Sequence, residues 1–294
     1  MPSTSAISLS TRSRMWLPRR ALATCMRGVL SRNTLGADLN DAQRFNYFPA
    51  SPLCSISWWF EGISELLPFA TDPCLDGPRK PVPARICFHG PSTQPMLSWN
   101  PGPGHGMMLI LMPDALHSLT GVTAMDYVDR FVDVHDVFPA PWTAMCEGVM
   151  VQPDDGARVE CIQDFLEPPW QAARPTLPLH LHHYQDWAQA LALRAATSAA
   201  GRSLRQAERR IKQWAGIPMR ELRGFGRAEQ AFFRGMSDGA AAGKPRWAEL
   251  AETSGYADQS HLCRETRRIT GFTPDELYRR IAEDEGFWSY RLWQ

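Results

Sequence analysis

The chain has 294 residues, 44% of them hydrophobic and 21% charged, with 31 Lys and Arg balanced by 31 Asp and Glu. That length accommodates two domains, and that composition excludes a disordered, collagenous or disulfide-dense chain. The best apolar run, Met107 to Met112, is strand-sized and too short to cross a bilayer, so no membrane partner is expected.

The zero net charge conceals an asymmetry. Asp38 to Leu177 carries 7 Lys and Arg against 17 Asp and Glu, a net of −10, whereas Arg202 to Arg280 carries 16 against 10, a net of +6. Only the second segment suits a polyanion, and binding there should fall steeply with salt.

Residues 1–37 hold six Arg, no acid and many Ser and Thr, a composition that reads as a disordered basic arm. It faintly resembles an organelle transit peptide, but Arg19, Arg20 and Arg27 interrupt any secretory apolar core. Met15 and Met26 are alternative starts.

Residues 38–167 form the next unit. Short apolar runs, Cys54–Phe60, Arg85–His89, Met96–Trp99 and Gly106–Met112, alternate with prolines and glycines, which predicts a β-rich sandwich or barrel. Met112 to Gly121 reads as a Pro-led helix stopped by Gly, and Asp155 to Leu166 as a second short helix. Trp58, Trp59, Phe60 and Trp99 are either core or the lining of a pocket for an apolar or aromatic effector. The Pro-rich stretch that follows, residues 168–179, reads as an interdomain linker.

No cofactor is expected. His89, His105, His117 and His135 are too widely spaced to share a metal, and the His180, His182, His183 cluster lies beside the linker. Seven scattered cysteines lack any Cys-x-x-Cys spacing and read as small apolar residues or idle thiols, as in a reducing cytoplasm. No nucleophile elbow, phosphate loop or dinucleotide turn is present, so no enzyme is predicted.

Residues 180–294 carry the most specific signal. Asp258 is an N-cap, Gly271 a left-handed stop, and Thr273-Pro274-Asp275-Glu276 starts another helix with a cap, an N1 proline and two first-turn acids. Between them Leu262, Thr266 and Ile269 face inward at i, i+4, i+7. Ser260, Arg264, Arg267 and Arg268 take the opposite face, with Gln259 and His261 beside them. These side chains read base edges or hold phosphates in a major groove. A solvated amphipathic helix is the plainer reading; the paired caps and the Gly255-Tyr256 turn favour a helix-turn-helix.

The segment resembles the second helix-turn-helix of the AraC/XylS family of bacterial transcription regulators, matching at Ala251, Gly255, Tyr256, Asp258, Ser260, Leu262, Arg264, Arg267, Gly271, Thr273 and Pro274. Thr266 departs from a position where the family has a buried Phe, which predicts a looser motif or a compensating aromatic such as Trp247 or Phe272. Such domains carry two motifs, and a shift of 55 residues places Ala196 on Ala251, Ser203 on Asp258, Arg209 on Arg264, Lys212 on Arg267, Gly216 on Gly271 and Leu222 on Leu277. Ala207, Ile211 and Trp214 then face inward while Arg205, Arg209 and Lys212 face out. The match slips by one residue after Gly216, at Pro218. Met219 to Met236 reads as a connecting helix weakened by Gly224 and Gly226, and Ser237 to Pro245 as a flexible break.

Tyr47 to Leu53, Leu111 to Gly121 and Val128 to Asp133 are similar, less specifically, to the small β-rich domain that precedes this module in one branch of the family. The resemblance implies an α+β protein with a β-rich N-terminal sensing or dimerising domain and an all-α C-terminal domain with two helix-turn-helix motifs. The expected function is an effector-responsive transcriptional regulator, such as an activator, bound to double-stranded DNA, with a homodimer as a further expectation. DNA contacts are assigned to Arg205, Arg209, Lys212, Gln259, Ser260, His261, Arg264, Arg267 and Arg268. Two alternatives stay open. One is an enzymatic or metal-binding β-barrel fused to a DNA-targeting module; the other is a degenerate regulator that binds a protein partner.

Overall fold

A computed structural model describes residues 11–174, 183–197, 203–242 and 245–293. The N-terminal half is β-rich and the C-terminal half helical. The strands are β1 (Arg12–Trp16), β2 (Met26–Asn33), β3 (Phe45–Phe48), β4 (Cys54–Glu61), β5 (Glu65–Leu67), β6 (Lys80–Pro81), β7 (Ile86–His89), β8 (Met96–Trp99), β9 (His105–Leu111) and β10 (Phe131–Asp133). A six-stranded antiparallel sheet has the order β1-β2-β9-β4-β7-β10, and a four-stranded one the order β3-β8-β5-β6.

Strand alternation divides the large sheet into two faces. Val29, Ile56, Trp58 and Leu109 pack with the helices α1 (Pro113–Thr120), α2 (Ala140–Met150) and α3 (Asp155–Ala173). The Trp58 indole N–H donates to the Cys146 carbonyl of α2 at 3.0 Å. Leu30, Arg32, Ser57, Trp59 and Met108 border a cavity closed on its other side by the small sheet.

Two expectations are corrected here. The segment expected as a disordered arm, residues 1–37, contributes β1 and the central strand β2; residues 1–10 lie outside the described residues. Its arginines find distant acids: Arg19 with Asp164 and Glu167, Arg27 with Glu229, Arg32 with Glu285. The expected linker, residues 168–179, is helical as far as Ala173 despite Pro168 and Pro169. Burial of Leu166 and Trp170, and the Trp170 indole donating to Thr24 Oγ1 at 3.1 Å, outweigh the backbone bonds those prolines remove. Residues 175–179 lie outside the described residues, as do His180 and His182.

The helical half comprises α4 (Tyr184–Thr197), α5 (Leu204–Ala215), α6 (Met219–Ala242), α7 (Trp247–Thr253), α8 (Gln259–Thr270), α9 (Pro274–Glu283) and α10 (Trp288–Arg291). The break expected over Ser237 to Pro245 does not begin at Ser237, since α6 runs on to Ala242; residues 243–244 lie outside the described residues. Its glycines are seats for neighbours. A Cβ on Gly226 would lie 3.1 Å from the Gln185 nitrogen of α4, and one on Gly235 would lie 3.2 Å from the Trp247 ring of α7. The tertiary contacts these glycines admit offset their low helix propensity.

One hydrophobic core spans both halves, joining Val29 and Leu53 to Trp187, Ile211 and Phe225. A second core packs β3 and β8 against Phe272, Leu277, Ile281 and Phe287.

Candidate nucleic-acid interface

The 55-residue repeat holds in the structure. Helices α5 and α8 are both 12 residues long and begin at matching positions. Ser203 caps α5 by accepting from the Gln206 N–H, and Asp258 caps α8 by accepting from the His261 N–H at 2.6 Å. Both end on left-handed glycines, Gly216 at φ 78° and Gly271 at φ 85°. No slip follows Gly216: α6 starts at Met219 and α9 at Pro274, still 55 residues apart, with Pro218 standing where Thr273 caps α9. Thr273 and Glu276 form a reciprocal capping box whose hydrogen bonds hold the Glu276 carboxyl below its usual range.

The turn before α8 is built as its sequence predicts. Gly255 takes φ 75°, Tyr256 is buried, and the Tyr256 N–H reaches the Ala251 carbonyl at 2.9 Å. The turn joining α4 to α5, residues 198–202, lies outside the described residues.

Inner and outer faces follow the predicted period. Ile211, Leu262 and Ile269 are buried, and Ala207, Trp214 and Thr266 are half-buried. Arg205, Arg209, Lys212, Gln259, Ser260, Arg264 and Arg267 are exposed. The structure thus brings seven of the nine residues assigned to DNA contact onto exposed surfaces of two equivalent helices. The other two are engaged with protein. Arg268 is half-buried, donates to Glu265 at 3.2 and 3.4 Å and lies over the Phe225 ring at 5.5 Å. His261 is half-buried, packs edge-on against Tyr256 at 5.2 Å and holds the turn before α8.

Both helices point their C-terminal ends at the β-rich half. Gly216 is wedged among Pro91, Ala124 and Val128, and Gly271 lies under the Phe69 ring. The N-terminal residues Ser203 to Arg205 and Asp258 to Ser260 are exposed instead. Outward Arg or Lys side chains on both helices make these exposed surfaces basic.

Polar ties fix the two halves together, and none was visible in the sequence because each joins residues distant along the chain. Asp114, partly buried in the first turn of α1, accepts from the Trp187 indole and from Arg194, both at 2.9 Å. Burial raises its pKa against those partners. Arg27 pairs with Glu229 of α6 at 2.6 Å, and burial raises the Glu229 pKa. The Ala50 N–H donates to the Ile269 carbonyl at the end of α8.

The effector-pocket residues divide. Trp59 borders the cavity of about 110 Å³ between the sheets, and Trp58, although beside it, turns its indole to the Cys146 carbonyl on the helix-packed face. Phe60 instead packs in the core under Arg158, 3.6 Å from its ring centroid, and Trp99 lies beneath Arg79 with Phe45 beside it. The sequence reading missed the most distinctive group on this wall, the buried Arg32. It donates to Asn46 Oδ1 at 2.6 Å and Glu285 at 3.1 Å, while its Nε–H has no partner among the described residues. Burial lowers its pKa to about 10, which still leaves it charged at neutral pH. Among the described residues no His, Cys, Asp and Glu cluster suits a metal ion, and no helix is long and apolar enough to cross a membrane.

No family model and no curated protein matches this chain. Among solved structures it is similar to ToxT from Vibrio cholerae, with a TM-score of 0.38 and 11% identity over 92% of this chain and 97% of that one. The unsaturated-fatty-acid-bound form of ToxT gives 0.36 and 11% over 94% and 96%. At that distance the description of the fold rests on the elements of this chain alone.

Proposed function

We propose that the protein is a sequence-specific, effector-responsive DNA-binding regulator of the AraC/XylS type. The observation that carries this reading is the repeated unit itself: two 12-residue helices with equivalent caps and stops, each showing Arg or Lys to solvent on its outer face. The family arrangement sets two such helices in neighbouring major grooves, roughly 34 Å apart along one side of the duplex. Arg205, Arg209 and Lys212 serve the first groove; Gln259, Ser260, Arg264 and Arg267 serve the second. His261 and Arg268 hold α8 in place. The β-rich half takes the effector in the cavity beside Arg32, whose Nε–H offers a donor to an acceptor group on a small molecule. Homodimerisation through this half is part of the same reading.

The test is selection of bound fragments from genomic DNA with the full chain, followed by fluorescence anisotropy across a salt series. Each phosphate contact contributes about −0.9 to the slope of log K against log salt. Arg209→Ala and Arg264→Ala should each weaken binding and flatten that slope. Salt-independent binding, or binding untouched by both changes, refutes the proposal.

A further inference from the structure

A second cavity, of about 150 Å³, lies among the helices of the C-terminal half where they meet Arg27, Pro49 and Ala50 of the β-rich half. Phe225 and Phe232 of α6, Leu262 and Thr266 of α8, and Ile281 and Tyr290 from the C-terminal helices stand on its wall. Three hydrophobic clusters of the fold meet here without merging. Phe225 belongs to the core shared with the β-rich half, Ile281 and Tyr290 to the one built on β3 and β8, and Leu262 to a small cluster of α7 and α8.

We propose that this cavity binds a neutral, single-ring aromatic molecule carrying one hydrogen-bonding oxygen. Size is the first argument, because a volume of about 150 Å³ accepts a ligand the size of benzene. Chemistry is the second. Tyr290 is only 5% exposed, and its hydroxyl has no hydrogen-bond partner among the described residues. Burial raises its pKa, so it is a neutral phenol able to donate or accept one bond. A buried hydroxyl without a partner is costly, and an oxygen on the ligand removes that cost. Charge is the third. The charged groups on the wall, Arg27 and Glu229, are held to each other at 2.6 Å, so the lining favours a neutral guest.

Thr266 explains why the space exists. It takes the place of the buried Phe of the motif that α8 resembles, and the candidate replacement, Trp247, does not fill the gap. The Trp247 indole N–H is held by Asp275 at 2.6 Å, which fixes the ring on the wall. Trp247 and Tyr278 are both half-exposed and border the cavity toward solvent. Leu262 and Thr266 lie on the inner face of the helix whose outer face carries Arg264 and Arg267. A guest would therefore touch the helix proposed to read DNA, although the binding site itself does not depend on that reading.

The experiment is titration calorimetry of the full chain with p-cresol and with toluene, which differ by one hydroxyl, with thermal melts in parallel. Both probes should bind, p-cresol more tightly by about fivefold. Tyr290→Phe should bring the two affinities together by weakening p-cresol alone, and Thr266→Phe should abolish both while leaving or raising the melting temperature. Absence of binding by either probe at millimolar concentration overturns the proposal. So does equal affinity of the two probes for the unaltered chain, or undiminished binding by a folded Thr266→Phe protein. Should Thr266→Phe not fold, the Tyr290→Phe comparison decides by itself. DNA affinity is measured separately, so loss of this site and loss of the regulator reading are distinguishable.

Discussion

Three glycines end three helices in the left-handed conformation, and the space around each differs. Gly121 closes α1 at φ 75°, Gly216 closes α5 at φ 78° and Gly271 closes α8 at φ 85°. An alanine in this region costs about 1–2 kcal/mol by backbone sterics alone. At Gly121 a Cβ meets nothing within 4 Å, so that cost should be the whole effect. At Gly216 the Cβ would sit 3.1 Å from Pro91 Cγ and 3.3 Å from both the Ala124 carbonyl carbon and Val128 Cγ2, all from the β-rich half. Mild overpacking there adds about 1 kcal/mol. At Gly271 the Cβ would collide with the Phe69 ring, which is itself held edge-on by Tyr47 at 6.2 Å and Phe272 at 5.8 Å. Displacing that ring adds about 2–3 kcal/mol. The expected losses for Ala are therefore about 1–2, 2–3 and 3–5 kcal/mol in that order, read from urea midpoints at constant m-value. In a Phe69→Ala background the excess at Gly271 should vanish, giving a coupling of about 2 kcal/mol. Equal losses at the three sites, or no coupling with Phe69, would show that the helix stops are not seated on the β-rich half.

Arg264→Ala should lower affinity for a selected site by about 1–3 kcal/mol, whereas Arg268→Ala, paired with Glu265 and stacked on Phe225, should act mainly on stability; anisotropy and denaturation on the same samples separate the two. The largely buried Arg27–Glu229 pair should show a non-additive cycle. Arg27→Met or Glu229→Gln alone leaves a buried group without its charge partner and costs about 3–5 kcal/mol, and the double change costs less than the sum; additive urea midpoints would contradict this. Burial lowers the His89 pKa to about 4, so the imidazole is neutral in the folded chain while the unfolded chain protonates near 6.5. Its contribution is complete above pH 6.5 and is lost as pH falls toward 4, by about 3 kcal/mol at most, and His89→Phe should flatten urea midpoints over that range.

What could be read from the sequence was whatever local chemistry determines. Asp258, Gly271 and Thr273 fix the ends of α8 and the start of α9 through caps made within four residues, and Met96–Trp99 is a strand with the predicted bounds. The outer faces of α5 and α8 followed from the 3.6-residue period. What escaped depends on partners distant in sequence. The basic composition of residues 1–37 resembles a disordered arm until Asp164, Glu229 and Glu285 are placed beside Arg19, Arg27 and Arg32. Ser237 to Ala242 reads as a break, yet the chain continues helical there, with Gly239 against the Tyr278 ring of α9. Arg268 looks outward by period but has an acid three residues before it and Phe225 across from it. Arg32, one of several polar residues in β2, gave no local sign that it would border a cavity.

The way the halves are joined limits how an effector can act in the proposed regulator. α5 is referenced to the β-rich half through Gly216 and through α4, whose Arg194 and Trp187 hold Asp114; α8 is referenced to the same half through Gly271 and the bond from Ala50 to Ile269. Each helix thus takes its position from a common body as well as from α6. A ligand in the sheet cavity would reach both helices through that body, whereas one beside Thr266 would touch α8 directly, together with α6 and Ala50. Moving an arrangement from one-in-a-hundred to dominant requires about 5.5 kcal/mol of differential affinity. A guest sized for about 110 or 150 Å³ makes few contacts that differ between two arrangements, so its effect should fall in the usual allosteric range of about 1–3 kcal/mol. Either ligand is therefore expected to tune DNA affinity by about 5- to 150-fold, and a switch of greater depth would require both cavities to be filled together.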